Sequence, residues 1–145
     1  MSVNYNQLPA SSYSFSLLRL IEQYKTHDRL IIAFDIDDTV RPYHSKSCGS
    51  TESLIRMARD ILNPYLIVYT SNPDIEGAKK FLDKNEIPYD AINEGAPFVD
   101  YHGGKSYYNI LLDDKAGLAQ AEGTLRDLIA LVVNGIVKKE DKDVL

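Results

Sequence analysis

The chain has 145 residues, 44% apolar and 26% charged, the balance of one globular domain rather than a disordered or fibrous chain. Its net charge of −5 is spread along the sequence, which argues against a broad basic face for gripping nucleic acid.

Met1 to Ser12 are polar and lack the basic start and apolar centre of a signal peptide. No apolar run is long enough to cross a bilayer. Cys48, the only cysteine, cannot form an internal disulfide and fits a reducing compartment. These features predict a cytoplasmic protein without membrane contact. It would have a flexible N-terminal arm over 1–12, a single domain over 13–137 and a charged, frayed tail over 138–145.

Leu17, Leu18, Ile21 and Tyr24 have helical spacing, with Ser12 or Ser14 as the cap. A nearly continuous apolar strand follows over 29–35, as in a parallel sheet buried on both faces. Residues 41–50 read as a loop. A helix from Thr51 to about Leu62 turns Leu54, Ile55, Ala58, Ile61 and Leu62 inward. The second strand, 65–69, ends at Thr70-Ser71-Asn72, and the next helix is expected to start at Pro73 with Asn72 as its cap. That helix runs to about Asn85. Further strands are expected over 89–92 and 107–112, the latter ending at Asp113-Asp114, and a last helix over 118–133. Strands alternating with helices predict an α/β sandwich around a mainly parallel sheet.

In such sheets ligands bind beyond the carboxyl ends of the strands. Three strands end there in polar clusters: Asp35-Ile36-Asp37-Asp38-Thr39, Thr70-Ser71-Asn72 and Asp113-Asp114. Crowded carboxylates repel unless a cation sits among them. Asp35 and Asp37, with Asp113 or Asp114, offer the oxygen ligands that suit Mg²⁺. Thr70 beside a helix N-terminus, with Ser71 as a substitute, and Lys105 in a glycine-rich loop complete an expected phosphate pocket.

The motif Asp35-Ile36-Asp37-Asp38-Thr39-Val40 resembles the first signature of the haloacid dehalogenase (HAD) superfamily of phosphatases and phosphotransferases. Thr70, Lys105 and Asp113-Asp114 match its second, third and fourth motifs in order. The resemblance implies a Rossmann-like three-layer sandwich without a large cap domain, because the stretches between motifs already hold the sheet's own helices. It implies a Mg²⁺-dependent phosphomonoesterase. Asp35 would be the nucleophile forming an aspartyl-phosphate, and Asp37 the general acid and base. Thr70 and Lys105 would bind the phosphoryl group. Asp35, the backbone carbonyl of Asp37, Asp113 and Asp114 would hold the metal, and Asp38 would be a bystander in the turn. An open site would suit a nucleotide, a polynucleotide end, a sugar phosphate or a partner acting as lid.

Plainer readings compete with each assignment. Asp35 to Thr39 and Asp113-Asp114 could be solvated turns, Thr70 an ordinary helix-capping residue and Lys105 a surface lysine. Arg41 and His44, following the first motif, are guesses for substrate contact. Two other functions stand against the phosphatase: a non-catalytic HAD-like metal-binding or interaction module, and a phosphorylated receiver-type signalling domain. The receiver is disfavoured because Lys105 precedes the late acidic pair.

Overall fold

The computed structural model describes residues 14–44, 47–100 and 106–140. The N-terminal arm, Ser12 as a cap, Lys105 and the end of the tail lie outside the described residues.

The elements run α1 (Phe15–Thr26), β1 (Ile31–Asp35), α2 (Gly49–Leu62), β2 (Tyr65–Tyr69), α3 (Ile75–Lys84), β3 (Ala91–Ile92), β4 (Ile110–Leu112) and α4 (Leu118–Val133). The fold is α/β, with a Rossmann-like all-parallel sheet in the order β3-β2-β1-β4. From β1 the chain steps outward through α2 to β2 and through α3 to β3. It then returns to place β4 on the other side of β1, so the strand order reverses between β1 and β4.

Ser14 caps α1, its Oγ accepting from the Leu17 amide at 3.0 Å. The inward face of this helix carries Leu17, Leu20, Ile21 and Tyr24, with Leu20 buried where Leu18 was expected. The helix after β2 starts two residues later than the sequence suggests. Asp74, not Asn72, caps it by accepting from the Gly77 amide at 3.0 Å. Asn72 instead accepts from the Asp74 amide at 2.9 Å, forming the turn that carries the chain past Pro73. A Cβ at position 77 would overlap the Asp74 carboxylate, so glycine leaves room for the cap.

Alternation along the strands sorts the core into two parts. Ile32, Phe34, Leu66, Val68, Ile110 and Leu112 meet the buried residues of all four helices. Each large apolar side chain buried there contributes about 1.5–3 kcal/mol. Ile31, Ala33 and Ile67 face the other way. Residues of the β3–β4 connection cover them, including Ala96, Val99, Tyr107 and Tyr108. The start of the tail is anchored rather than frayed: Lys139 Nζ donates to the Tyr24 and His27 carbonyls, and the Glu140 amide donates to the Lys25 carbonyl, each at 3.0 Å.

Candidate functional site

The register places the polar clusters at one end of the sheet. Asp35 closes β1 and pairs with Tyr69 of β2, one residue before Thr70. On its other side Phe34 pairs with Leu112, one residue before Asp113. Asp35, Asp113 and Asp114 thereby converge, each offering an oxygen within 4.8 Å of the others'. Asp35 and Asp113 are half-buried and Asp114 is exposed.

Burial pushes the Asp35 carboxyl well above its ordinary value, to about 6. The Ile36 amide, donating to it, works in the opposite direction. The charges of Asp113 and Asp114, and a hydrogen bond shared with Asp114, raise it further. No ion pair to any of the three acids occurs among the described residues. An all-oxygen donor set with this unrelieved repulsion fits a hard divalent cation.

The turn after β1 is built by its own side chains. Asp38 adopts φ 61°, a left-handed conformation that aspartate tolerates better than most residues. The amides of Thr39, Val40 and Arg41 all donate to the Ile36 carbonyl. The Asp38 carboxylate accepts from the Tyr43 and His44 amides at 2.9 and 2.6 Å, and lies 2.8 Å from His44 Nδ1. Asp38 is thus no idle member of the turn: it fixes the start of the following loop. Thr39, fully buried, ties the two acidic strand ends together. Its Oγ accepts from the Asp114 amide at 3.1 Å and donates to Asp114 Oδ1 at 3.5 Å.

Asp37 stands apart from the carboxylate group. Arg41 Nε donates to its Oδ1 at 2.8 Å, and the Arg41 guanidinium sits 5.5 Å from the Phe81 ring centroid on α3. Arg41 therefore orients Asp37, a role its sequence position did not disclose.

Thr70 is half-buried at the end of β2, and Ser71 is exposed. The Thr70 hydroxyl accepts from the Asn72 amide at 3.1 Å, and its main chain is clamped by Asn93. Asn93 Oδ1 accepts from the Thr70 amide at 2.9 Å, and Asn93 Nδ2 donates to the Thr70 carbonyl at 3.1 Å. Asn93 holds φ 56° just past β3. Sequence reasoning missed it; an asparagine at a strand end, a residue type that accepts this φ, was the available signal.

Comparisons with known proteins add nothing to this geometry: no family model, curated protein or solved structure matches the chain.

Proposed function

We propose that this protein is a Mg²⁺-dependent phosphohydrolase. It would cleave a phosphomonoester, such as a nucleotide, a polynucleotide end or a sugar phosphate, through an aspartyl-phosphate on Asp35. The observation that carries the reading is the convergence of Asp35, Asp113 and Asp114 at adjacent parallel strand ends, without a counter-ion among the described residues. The resemblance of the four motifs to the HAD pattern supports it.

In this scheme an Asp35 oxygen attacks phosphorus as the bond to the leaving oxygen breaks, and Asp37 gives that oxygen its proton. Asp37 then takes a proton from water, whose oxygen attacks the aspartyl-phosphate. Inorganic phosphate leaves and the Asp35 carboxylate is restored. Arg41, by fixing one Asp37 oxygen, limits the directions in which the carboxyl can transfer a proton. Thr70 and Lys105 are the residues proposed to bind the phosphoryl oxygens. Asp35, Asp113 and Asp114 would hold Mg²⁺, which offsets the phosphoryl charge and orients the group for in-line attack.

The test is Mg²⁺-dependent hydrolysis of p-nitrophenyl phosphate, followed by a panel of nucleotides, phosphorylated oligonucleotide ends and sugar phosphates. Asp35→Asn should lose roughly a thousandfold or more in rate. Undiminished turnover in that variant, or no Mg²⁺-dependent turnover of any panel member by the intact protein, defeats the proposal.

A further inference from the structure

Arg41 uses its guanidinium differently from the other arginines that pair. Arg59 grips Asp90 with both Nη nitrogens, at 3.0 and 3.2 Å. Arg29 and Arg56 each donate through Nε and one Nη to main-chain carbonyls. Arg126 reaches Glu122 through an Nη at 3.4 Å. Arg41 donates to Asp37 through Nε alone, at 2.8 Å. Its two Nη nitrogens, which carry most of the guanidinium's N–H donors, have no partner among the described residues. An arginine with a purely architectural role gains more by closing its fork on the carboxylate, as Arg59 does. Asp37 Oδ2 would accept that second bond, yet it too has no partner among the described residues.

The group is nonetheless held in place. The Arg41 amide donates to the Ile36 carbonyl and the Arg41 carbonyl accepts from the Asp38 amide, each at 2.8 Å. The Phe81 ring centroid lies 5.5 Å from Arg41 Cζ. A guanidinium fixed at Nε and against a ring has little freedom left to lose when its outer edge takes a ligand. Arg41 and Asp37 are both partly exposed, so a ligand can reach them. His44, further along the same loop, is turned onto Asp38 instead.

The class of ligand follows from the role of Asp37. In the hydrolase reading, on which this inference rests, Asp37 protonates the leaving oxygen. A group beside Asp37 is then beside the leaving group, away from the phosphoryl group in transfer. Two Nη nitrogens in one plane match the oxygens of a phosphate. Hydrogen bonds running from the leaving oxygen through Asp37 and the guanidinium put that phosphate within about 10 Å of the leaving oxygen. Two phosphates carried on one sugar fit that span.

We propose that Arg41 binds a second phosphate on the leaving group, so that the preferred substrate is a nucleoside or sugar bisphosphate rather than a simple monoester.

Steady-state hydrolysis in Mg²⁺ tests this with matched substrates. An adenosine bisphosphate, esterified on its primary and secondary ribose oxygens, is compared with the two monophosphates that share one of those esters. A glucose bisphosphate is compared in the same way with the glucose monophosphates. Matched substrates release the same sugar oxygen and draw on Asp37 alike, so their ratio isolates the second phosphate. The intact protein should favour the bisphosphate by roughly tenfold or more in kcat/KM in at least one set, and the set that responds distinguishes nucleoside from sugar. Arg41→Gln should abolish that preference, whatever it costs in overall rate through Asp37. Arg41→Lys, which keeps a charge without the planar fork, should retain part of it. Each ratio is taken within one protein, so partial loss of folded material cancels. Equal kcat/KM for bisphosphate and monophosphate in the intact protein, or a preference that survives Arg41→Gln, overturns the inference and leaves Arg41 to orient Asp37 alone. Absence of turnover on every substrate instead defeats the hydrolase reading, and this inference with it.

Discussion

The two ends of the sheet treat their acids in opposite ways. At the amino end, Asp90 is fully partnered. Arg59 grips both of its oxygens at 3.0 and 3.2 Å, the Leu66 amide donates to it at 2.8 Å, and Arg29 lies 3.8 Å away. At the carboxyl end, Asp35, Asp113 and Asp114 face one another, with no guanidinium or ammonium paired to them among the described residues. An acid surrounded by donors explains itself as architecture, since each of its bonds fastens a strand or loop start. Asp35, whose proton affinity is raised by burial and by the charges of its two acidic neighbours, weakens the metal-free fold, and such an arrangement makes sense where a ligand supplies the missing charge.

That contrast can be broken by neutralising one acid at each end. Asp90→Asn removes a charge-assisted fork and should cost about 1–3 kcal/mol of stability, with hydrolysis unchanged. Asp35→Asn should do the reverse: metal-free stability at neutral pH equal to or above that of the parent, and activity abolished. Denaturant melts of both variants decide the matter. If Asp35→Asn weakens the fold as Asp90→Asn does, the carboxyl-end acids are architectural too.

A smaller effect separates the ends by pH. The Asp35 carboxyl holds its proton more firmly in the fold than in the unfolded chain. Its contribution is therefore fully present below the unfolded value of 3.8 and is lost as pH rises through about 6. Metal-free protein should accordingly show a decline in stability across that window that is missing from Asp35→Asn. Added Mg²⁺ should reverse the decline above it, because binding to the folded state alone stabilises by mass action. Thermal melts with and without Mg²⁺ read both changes. Identical pH profiles for parent and Asp35→Asn would remove the repulsion from the account.

The sequence made the carboxyl end legible where the signal was local. An unbroken apolar run ending in Asp35, and another ending in Asp113-Asp114, announce buried parallel strands that deliver charge to one edge. The cross-chain supports were hidden. Asn93 clamps Thr70 from 23 residues away, and Thr39 meets Asp114 from 75 away, so no periodicity links them. The start of α3 was misplaced because Asn72 and Asp74 flank Pro73 and both are good capping residues; only the reach of Asp74 to the Gly77 amide separates them. Nor could composition show that all four helices share one face. A β3–β4 connection rich in aromatics covers the other face without forming a helix among its described residues, and nothing in its pattern fixes a side.

The smallest expected effect lies beside Asp35. Tyr69, its register partner, holds the one buried side-chain polar atom among the described residues that lacks a hydrogen-bond partner. Its ring packs with the second-face cluster, so most of its contribution is apolar contact. A buried hydroxyl that has left water without gaining a partner carries a desolvation cost of about 1–3 kcal/mol. Tyr69→Phe keeps the ring and removes that cost. It should leave stability unchanged or raise it by up to about 1 kcal/mol, with turnover unaltered. The pairing of outcomes matters more than their size. A Tyr69→Phe variant that melts like the parent yet loses turnover would move Tyr69 from the packing of the second face into the site. A variant that loses stability would show that the hydroxyl is satisfied in solution, and would place Tyr69 with Asp90 among the partnered groups.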